Sequence, residues 1–267
     1  MKTGWAEVNG VSLRYTLSGE GDDVLVLIHE MGGTLESFDF VIDALGRHCR
    51  VLRYDTRGAG LSEKVRGEVE LADLVVDLAM LLDELGLHGR VAVAGCAVGA
   101  AIAISFAANY PDRVSALIAM APATGLPPER KAAARERADV LERQGTRPSI
   151  DARLESSYPQ ALRQDKARFE ETRKRRLGMD PLGVAALTRM LAELDLTRDL
   201  AAVRCPTLVI AGRHDGDRPP AVVAPVAAAI PGARLVTLET GHFMALQTPE
   251  LVAEAIEAFL AEQAVPR

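Results

Sequence analysis

The sequence predicts an α/β protein, with a mostly parallel sheet of eight strands, helices on both faces and one helical insertion. Three observations lead there. Short apolar runs bounded by turn residues recur along the chain, helical patterns separate them from residue 37 onward, and the alternation breaks once, between about Leu126 and Leu200. Strand and helix in alternation mean right-handed crossovers and parallel pairing, with both faces of the sheet covered.

Taken in order, Asn9-Gly10 is a type I′ turn signal between two alternating segments, so the chain should open with a hairpin. Val24 to Ile28 is a continuous apolar run and reads as a buried strand ending at His29. Ser37 to Leu45 reads as helix, Arg50 to Tyr54 as strand, Leu71 to Leu85 as helix, and Val91 to Ala94 as strand. Val98 to Ala108 is a helix and Val114 to Met120 a strand. After the break, Thr207 to Ala211 and Arg234 to Leu238 are strands, Ala221 to Ile230 is a helix, and Pro249 to Ala261 is a closing helix begun by proline.

The break carries charged helical segments and no strand pattern, with Pro148, Pro159 and Pro181 as interruptions. It divides the chain into a core of residues 1–125 and 201–267 and a helical cap of residues 126–200. Residues 129–180 hold 14 Lys/Arg against 10 Asp/Glu, a local excess on a chain of net charge −6. Two readings stay open: a solvated helical surface, or a cap whose arginines from Arg163 through Arg176 draw in an anionic substrate.

The net charge of −6 argues against affinity for nucleic acid or acidic membranes, because phosphate binding needs a basic surface. A small-molecule substrate is the expected partner, and a homo-oligomer is left open. Cys49, Cys96 and Cys205 are odd in number and lack Cys-x-x-Cys spacing, which suggests neither a disulfide framework nor a zinc site. A reduced, cytoplasmic setting follows. No apolar run approaches the ~20 residues that span a bilayer, and no export or membrane anchoring is expected.

In an open parallel sheet, ligands bind beyond the carboxyl ends of the strands, so a catalytic group should stand just after a strand. His48 and His88 precede strands, whereas His29, His214 and His242 follow them, together with the acids Asp215 and Asp217. The most informative segment runs from Val91 to Ala103, where a strand turns abruptly into a helix in the frame Gly95-Cys96-Ala97-Val98-Gly99. Small residues two positions either side of Ala97 are what a strained nucleophile elbow requires, but the frame is G-x-A-x-G in place of G-x-S-x-G.

At this point the chain resembles the α/β-hydrolase family over nearly its whole length. His29-Glu30-Met31-Gly32-Gly33 is similar to its oxyanion loop, with Glu30 in place of the usual glycine. Asp55-Thr56-Arg57-Gly58-Ala59-Gly60-Leu61-Ser62 is similar to its D-x-R-G-x-G-x-S turn. Pro206 to Asp215 and Thr240-Gly241-His242-Phe243 resemble the segments that deliver the acid and the histidine. A histidine placed this way can act as general base, with a carboxylate fixing its tautomer. Asp215 and His242 fill these roles, with Asp217 as the alternative acid. The resemblance implies an oxyanion hole from the N–H groups of Met31 and Val98, where each donor is typically worth ~3 kcal/mol of barrier. His29, Glu30, Cys96 and Phe243 are placed against substrate, His29 also orienting the loop. Asp55 and Arg57 are read as ties within a turn.

Ala97 offers no nucleophile, so an acyl-enzyme route is closed. Three explanations stand: a serine replaced to inactivate the protein, a natural enzyme whose His242–Asp215 pair activates water or removes a proton, or a binding protein that has lost the reaction. Cys96 is an unsuitable substitute, because centring the elbow on it brings bulky Val98 to a flanking position. The phrases Cys49 to Gly58, Leu194 to Leu200 and Val203 to Thr207 resemble 3-oxoadipate enol-lactonases and related hydrolases of aromatic catabolism. That resemblance implies hydrolysis of a small carboxylated ester or lactone without metal or organic cofactor. A lyase or carbon–carbon bond hydrolase on the same fold is the alternative.

Overall fold

In the computed structural model, which describes residues 1–264, the chain opens with β1 (Lys2–Val8) and β2 (Val11–Ser18) joined by Asn9 and Gly10. Both turn residues take positive φ, 48° and 74°, the backbone of a type I′ hairpin. β3 (Val24–Ile28), β4 (Arg50–Tyr54), β5 (Val91–Cys96), β6 (Val114–Met120), β7 (Thr207–Gly212) and β8 (Arg234–Leu238) complete one sheet in the order β1-β2-β4-β3-β5-β6-β7-β8. The pairs β1–β2 and β2–β4 are antiparallel and the remaining five are parallel. This is the mostly parallel eight-stranded sheet that the pattern predicts.

Between the strands lie α1 (Ile42–Leu45), α2 (Leu71–Glu84) and α3 (Val98–Asn109). Between β6 and β7 come α4 (Pro128–Gln144), α5 (Ile150–Ser157), α6 (Lys166–Leu177), α7 (Pro181–Glu193) and α8 (Thr197–Ala202). α9 (Pro220–Ala229), α10 (Met244–Gln247) and α11 (Pro249–Ala264) close the chain. The expected core segment 201–267 runs three residues past the described ones; residues 265–267 lie outside them.

Alternation along the central strands sorts their side chains into two cores. Val26, Ile28 and Val93 join Leu74, Leu78, Phe106 and Val223 on one side. Leu25, Leu27, Ala92 and Ala94 join Phe38, Val252, Ile256 and Phe259 on the other. Every residue of β3, β5 and β7 is buried, as strands covered on both faces must be. No described helix is long and apolar enough to cross a membrane.

Two departures from the expected bounds lie next to the site. The helix expected over Ser37–Leu45 starts two residues earlier as a 3-10 turn, Leu35–Val41, and only Ile42–Leu45 is α-helical. The Leu35 N–H donates to Asp55 Oδ1 at 2.7 Å, a tertiary anchor that sets the start. β5 continues two residues past Ala94, through Gly95 and Cys96, because the pairing with Ala119 and Met120 of β6 continues to the elbow.

Candidate active site

The turn between β5 and α3 is built around Ala97, whose φ of 52° and ψ of −109° lie where residues with a Cβ are strained. Its surroundings hold it there. The Ala97 N–H donates to the Met120 carbonyl at 2.9 Å, and its own carbonyl accepts from the N–H groups of Ala101 and Ala123. A Cβ on Gly95 would stand 2.1 Å from the Gly99 carbonyl oxygen, and one on Gly99 would stand 2.2 Å from that of Ile28. Both glycines are therefore steric requirements of the turn. The Val98 N–H, at the start of α3, donates to no described residue.

The loops after β7 and β8 meet beside this turn. The His214 N–H donates to the Thr240 carbonyl at 2.9 Å, and Gly212 leaves too little room for a side chain against Thr240 and Gly241. The His242 N–H donates to the Ser157 carbonyl at 3.1 Å, and the Cys96 thiol donates to the His242 carbonyl at 3.4 Å. The ring follows: His242 Nδ1 lies 2.8 Å from Asp215 Oδ2. Asp215 is 2% exposed, and its other oxygen accepts from the N–H groups of Asp217 and Arg218, both at 2.8 Å. A carboxylate fixed at both oxygens orients the imidazole. Nε2 makes no hydrogen bond to a described residue.

Asp217, the alternative acid, turns elsewhere. Its carboxylate accepts from the hydroxyls of Ser156 and Ser157 at the end of α5. Burial pushes its pKa up, but His242, the two serines and Arg153 outweigh that and hold it below the ordinary aspartate value. Asp215, Asp217 and His242 bring three potential ligand atoms within 4.8 Å of one another. Each carboxylate oxygen in the group already accepts a hydrogen bond.

The loop after β3 turns through Glu30–Gly33, closed by the Gly33 N–H on the Glu30 carbonyl at 2.8 Å, with Gly32 at a φ of 70°. The Met31 N–H inside this turn donates to no described residue. The donors of Met31 and Val98 are both unclaimed.

The four residues placed against substrate from the sequence are engaged within the protein. His29, 1% exposed, uses both ring nitrogens: Nδ1 lies 2.8 Å from the Glu30 carbonyl, and Nε2 accepts from the Thr56 N–H at 3.0 Å. It ties the β3 loop to the β4 loop. Glu30, 3% exposed, forms an ion pair with Arg176 of α6 and accepts from the Ser37 hydroxyl at 3.2 Å. Phe243 packs edge-on against Tyr158, and the Arg176 guanidinium sits 3.7 Å from its ring centre. Cys96 is 4% exposed; burial, then Glu30 and Asp215, push its thiol well above the ordinary value, so a thiolate nucleophile is disfavoured.

The arginines from Arg163 through Arg176 are likewise taken. Arg163 donates to the Tyr158 and Leu154 carbonyls, Arg168 to that of Leu246, Arg173 pairs with Asp151, and Arg175 with Glu171. They brace the insertion. His214 is exposed and contacts Glu239, away from Asp215. Asp55 and Arg57 tie their turn as expected, Asp55 through Leu35, Leu61 and Arg14, and Arg57 through Asp77. The sequence did not single out Arg176 as the anchor of the β3 loop, or Ser156 and Ser157. The pairing partner of Arg176 lies 146 residues away, and no local pattern marks it.

Comparison with known proteins agrees with this architecture. The family model described as Serine aminopeptidase, S33 matches residues 19–239. 3-oxoadipate enol-lactonase 2 of Acinetobacter baylyi is 26% identical over 255 residues, covering 94% of this chain and 93% of that one. A malate-bound thermophilic esterase from Thermogutta terrifontis superposes with a TM-score of 0.92 at 28% identity, covering 99% of this chain and all of that one. The enol-lactonase from Burkholderia xenovorans superposes at 0.91 with 28% identity, covering 97% of this chain and all of that one. The chain belongs to the α/β-hydrolase enzymes of the family described as Serine aminopeptidase, S33.

Proposed function

We propose that the chain hydrolyses a small ester, lactone or activated carbonyl compound with water as the attacking group. His242 is the general base and Asp215 its orienting partner. The observation that carries this reading is the 2.8 Å contact between His242 Nδ1 and Asp215 Oδ2, which leaves Nε2 without a protein partner. Ala97 supplies only a methyl group at the elbow, so the proton that Nε2 accepts comes from water.

The steps balance. Water oxygen attacks the carbonyl carbon as its proton passes to Nε2, and Asp215 stabilises the imidazolium. The oxyanion is held by the N–H groups of Met31 and Val98, worth ~3 kcal/mol each. Collapse expels the alcohol oxygen, which takes the proton back from His242. Residues 126–200 act as a cap over this centre, with Arg176 fixing the loop that carries Met31.

The similarity to an esterase and to enol-lactonases supports the reaction class, and the malate-bound esterase supports a small acidic substrate. The methyl at position 97 favours one second reading, a ligand-binding protein without turnover. Turnover of small esters in ¹⁸O-water decides between hydrolysis, a lyase and binding alone. Hydrolysis puts the label in the acid product, a lyase gives products without it, and binding alone gives no products.

A further inference from the structure

Resting on that reading, we propose that Ser157 of the insertion and Asp217 are positioning residues for the base, closing with Asp215 and His242 a circuit of hydrogen bonds that sets Nε2 only while α5 is docked. Each residue bonds to the next. His242 Nδ1 lies 2.8 Å from Asp215 Oδ2, and the other oxygen of Asp215 accepts from the Asp217 N–H at 2.8 Å. The Asp217 carboxylate accepts from the Ser157 hydroxyl. The Ser157 carbonyl accepts from the His242 N–H at 3.1 Å, which returns the circuit to its start.

The members come from three separate segments. Asp215 and Asp217 stand in the loop after β7, His242 in the loop after β8, and Ser157 is the last residue of α5. His242 belongs to neither helix nor strand, so its main chain takes its place from two contacts: its N–H on Ser157, and its carbonyl accepting from the Cys96 thiol at 3.4 Å. A thiol is a weak donor, which makes Ser157 the stronger tie. The joint is reinforced on both sides. The Ser156 hydroxyl donates to Asp217 Oδ1 at 2.7 Å, the Ser156 carbonyl accepts from the Gly216 N–H at 3.2 Å, and Gln247 Nε2 donates to the Ser157 carbonyl at 2.9 Å. Two consecutive residues of α5 thus hold both catalytic loops, and α5 cannot move away without releasing the main chain of His242.

A general base works only with its nitrogen within hydrogen-bond reach of the proton it takes, and a misplacement of about 1 Å can cost ~10²-fold in rate. Asp215 orients the imidazole. The circuit fixes, in addition, the main chain from which the imidazole hangs and the carboxylate on which it leans. Asp217 acts on both, on Asp215 through its N–H and on His242 through Ser157. It couples the insertion to the base and takes no proton itself.

The test pairs steady-state hydrolysis of p-nitrophenyl acetate with proton spectra of the full chain in cold water, where the Nδ1–H shared by His242 and Asp215 gives a downfield resonance that reads the geometry without substrate. Asp217→Ala and Ser157→Ala should each lower kcat by tenfold or more, on the scale of a displaced base, and weaken or shift the resonance. The double variant should be no worse than the poorer single one, because either change opens the same circuit. Asp217→Asn keeps an acceptor for Ser157 and should restore most of kcat and the resonance. Asp151→Asn, which removes the pair with Arg173 from the same helix, should alter neither. Circular dichroism checks that each variant is folded. A parent chain without the resonance, Ala variants that leave kcat and resonance unchanged, additive losses, or an Asn variant as impaired as the Ala one overturns the proposal. So does an equal loss in Asp151→Asn. A resonance that responds as stated in a chain without turnover removes the hydrolase reading and leaves the positioning role standing. Turnover that is indifferent to both Ala variants does the reverse.

Discussion

Arg176 of α6 and Glu30 of the loop after β3 form a buried ion pair, and the same guanidinium donates to the Met31 carbonyl at 3.1 Å. One side chain of the insertion thus holds the loop whose N–H is free, and it also stacks on Phe243 beside His242. Breaking such a pair from one side leaves a buried charge alone, which typically costs ~3–5 kcal/mol. Arg176→Met should lower unfolding stability by about that amount. Arg176→Met combined with Glu30→Gln should recover much of it. Urea unfolding of the two single variants and the double variant measures the coupling, and additive losses would show that the pair does not act as a unit.

The Asp215 carboxylate is held by two backbone N–H groups on one oxygen and by His242 on the other. An amide cannot accept at both positions, so Asp215→Asn should turn the imidazole to the wrong tautomer and reduce kcat by about 10⁴, as in related constellations. His242→Ala should remove base catalysis altogether. Both variants should stay folded, which circular dichroism checks. Unchanged kcat in His242→Ala would end the proposed mechanism.

Cys96 stands one residue from the elbow, yet burial and two nearby carboxylates keep its thiol protonated. At about pH 8 the native chain should resist iodoacetamide at Cys96, because the thiolate is the reactive form. Urea-unfolded chain should label readily. Cys96→Ala should leave turnover within about twofold. Mass spectrometry of tryptic peptides reads the labelling, and a turnover loss matching that of His242→Ala would assign Cys96 a chemical role.

The sheet was legible because burial on both faces forces continuous apolar runs such as Val24–Ile28, whose bounds match the structure residue for residue. The elbow was legible because Gly95 and Gly99 answer a local steric demand. The side chains around it were less so. Glu30 read as a lone carboxylate, and its partner comes from a helix 146 residues away. Within residues 129–180, fourteen basic residues look alike in a string, and only packing separates Arg173, paired with Asp151, from Arg153, which has no ion pair. Long-range pairing of charges leaves no period in the sequence, whereas burial and backbone geometry do.

Ala97 itself offers the last test. At a φ of 52° its Cβ is strained, while the hydrogen bonds to Met120, Ala101 and Ala123 keep the backbone in place. A glycine adopts that region freely, so Ala97→Gly should relieve strain of order 1 kcal/mol, partly offset by the greater entropy of its unfolded chain. A small rise or no change in the urea midpoint is expected, where most substitutions at a buried position lower it. Ala97→Ser keeps the strain and should change stability by about 1 kcal/mol or less, while placing a hydroxyl at the elbow beside the His242 loop. That variant should show a burst of acyl-enzyme with p-nitrophenyl acetate that the unmodified chain lacks. A marked loss of stability in Ala97→Gly would mean that the turn is not strained, and the absence of a burst in a folded Ala97→Ser chain would mean that Nε2 of His242 does not reach position 97.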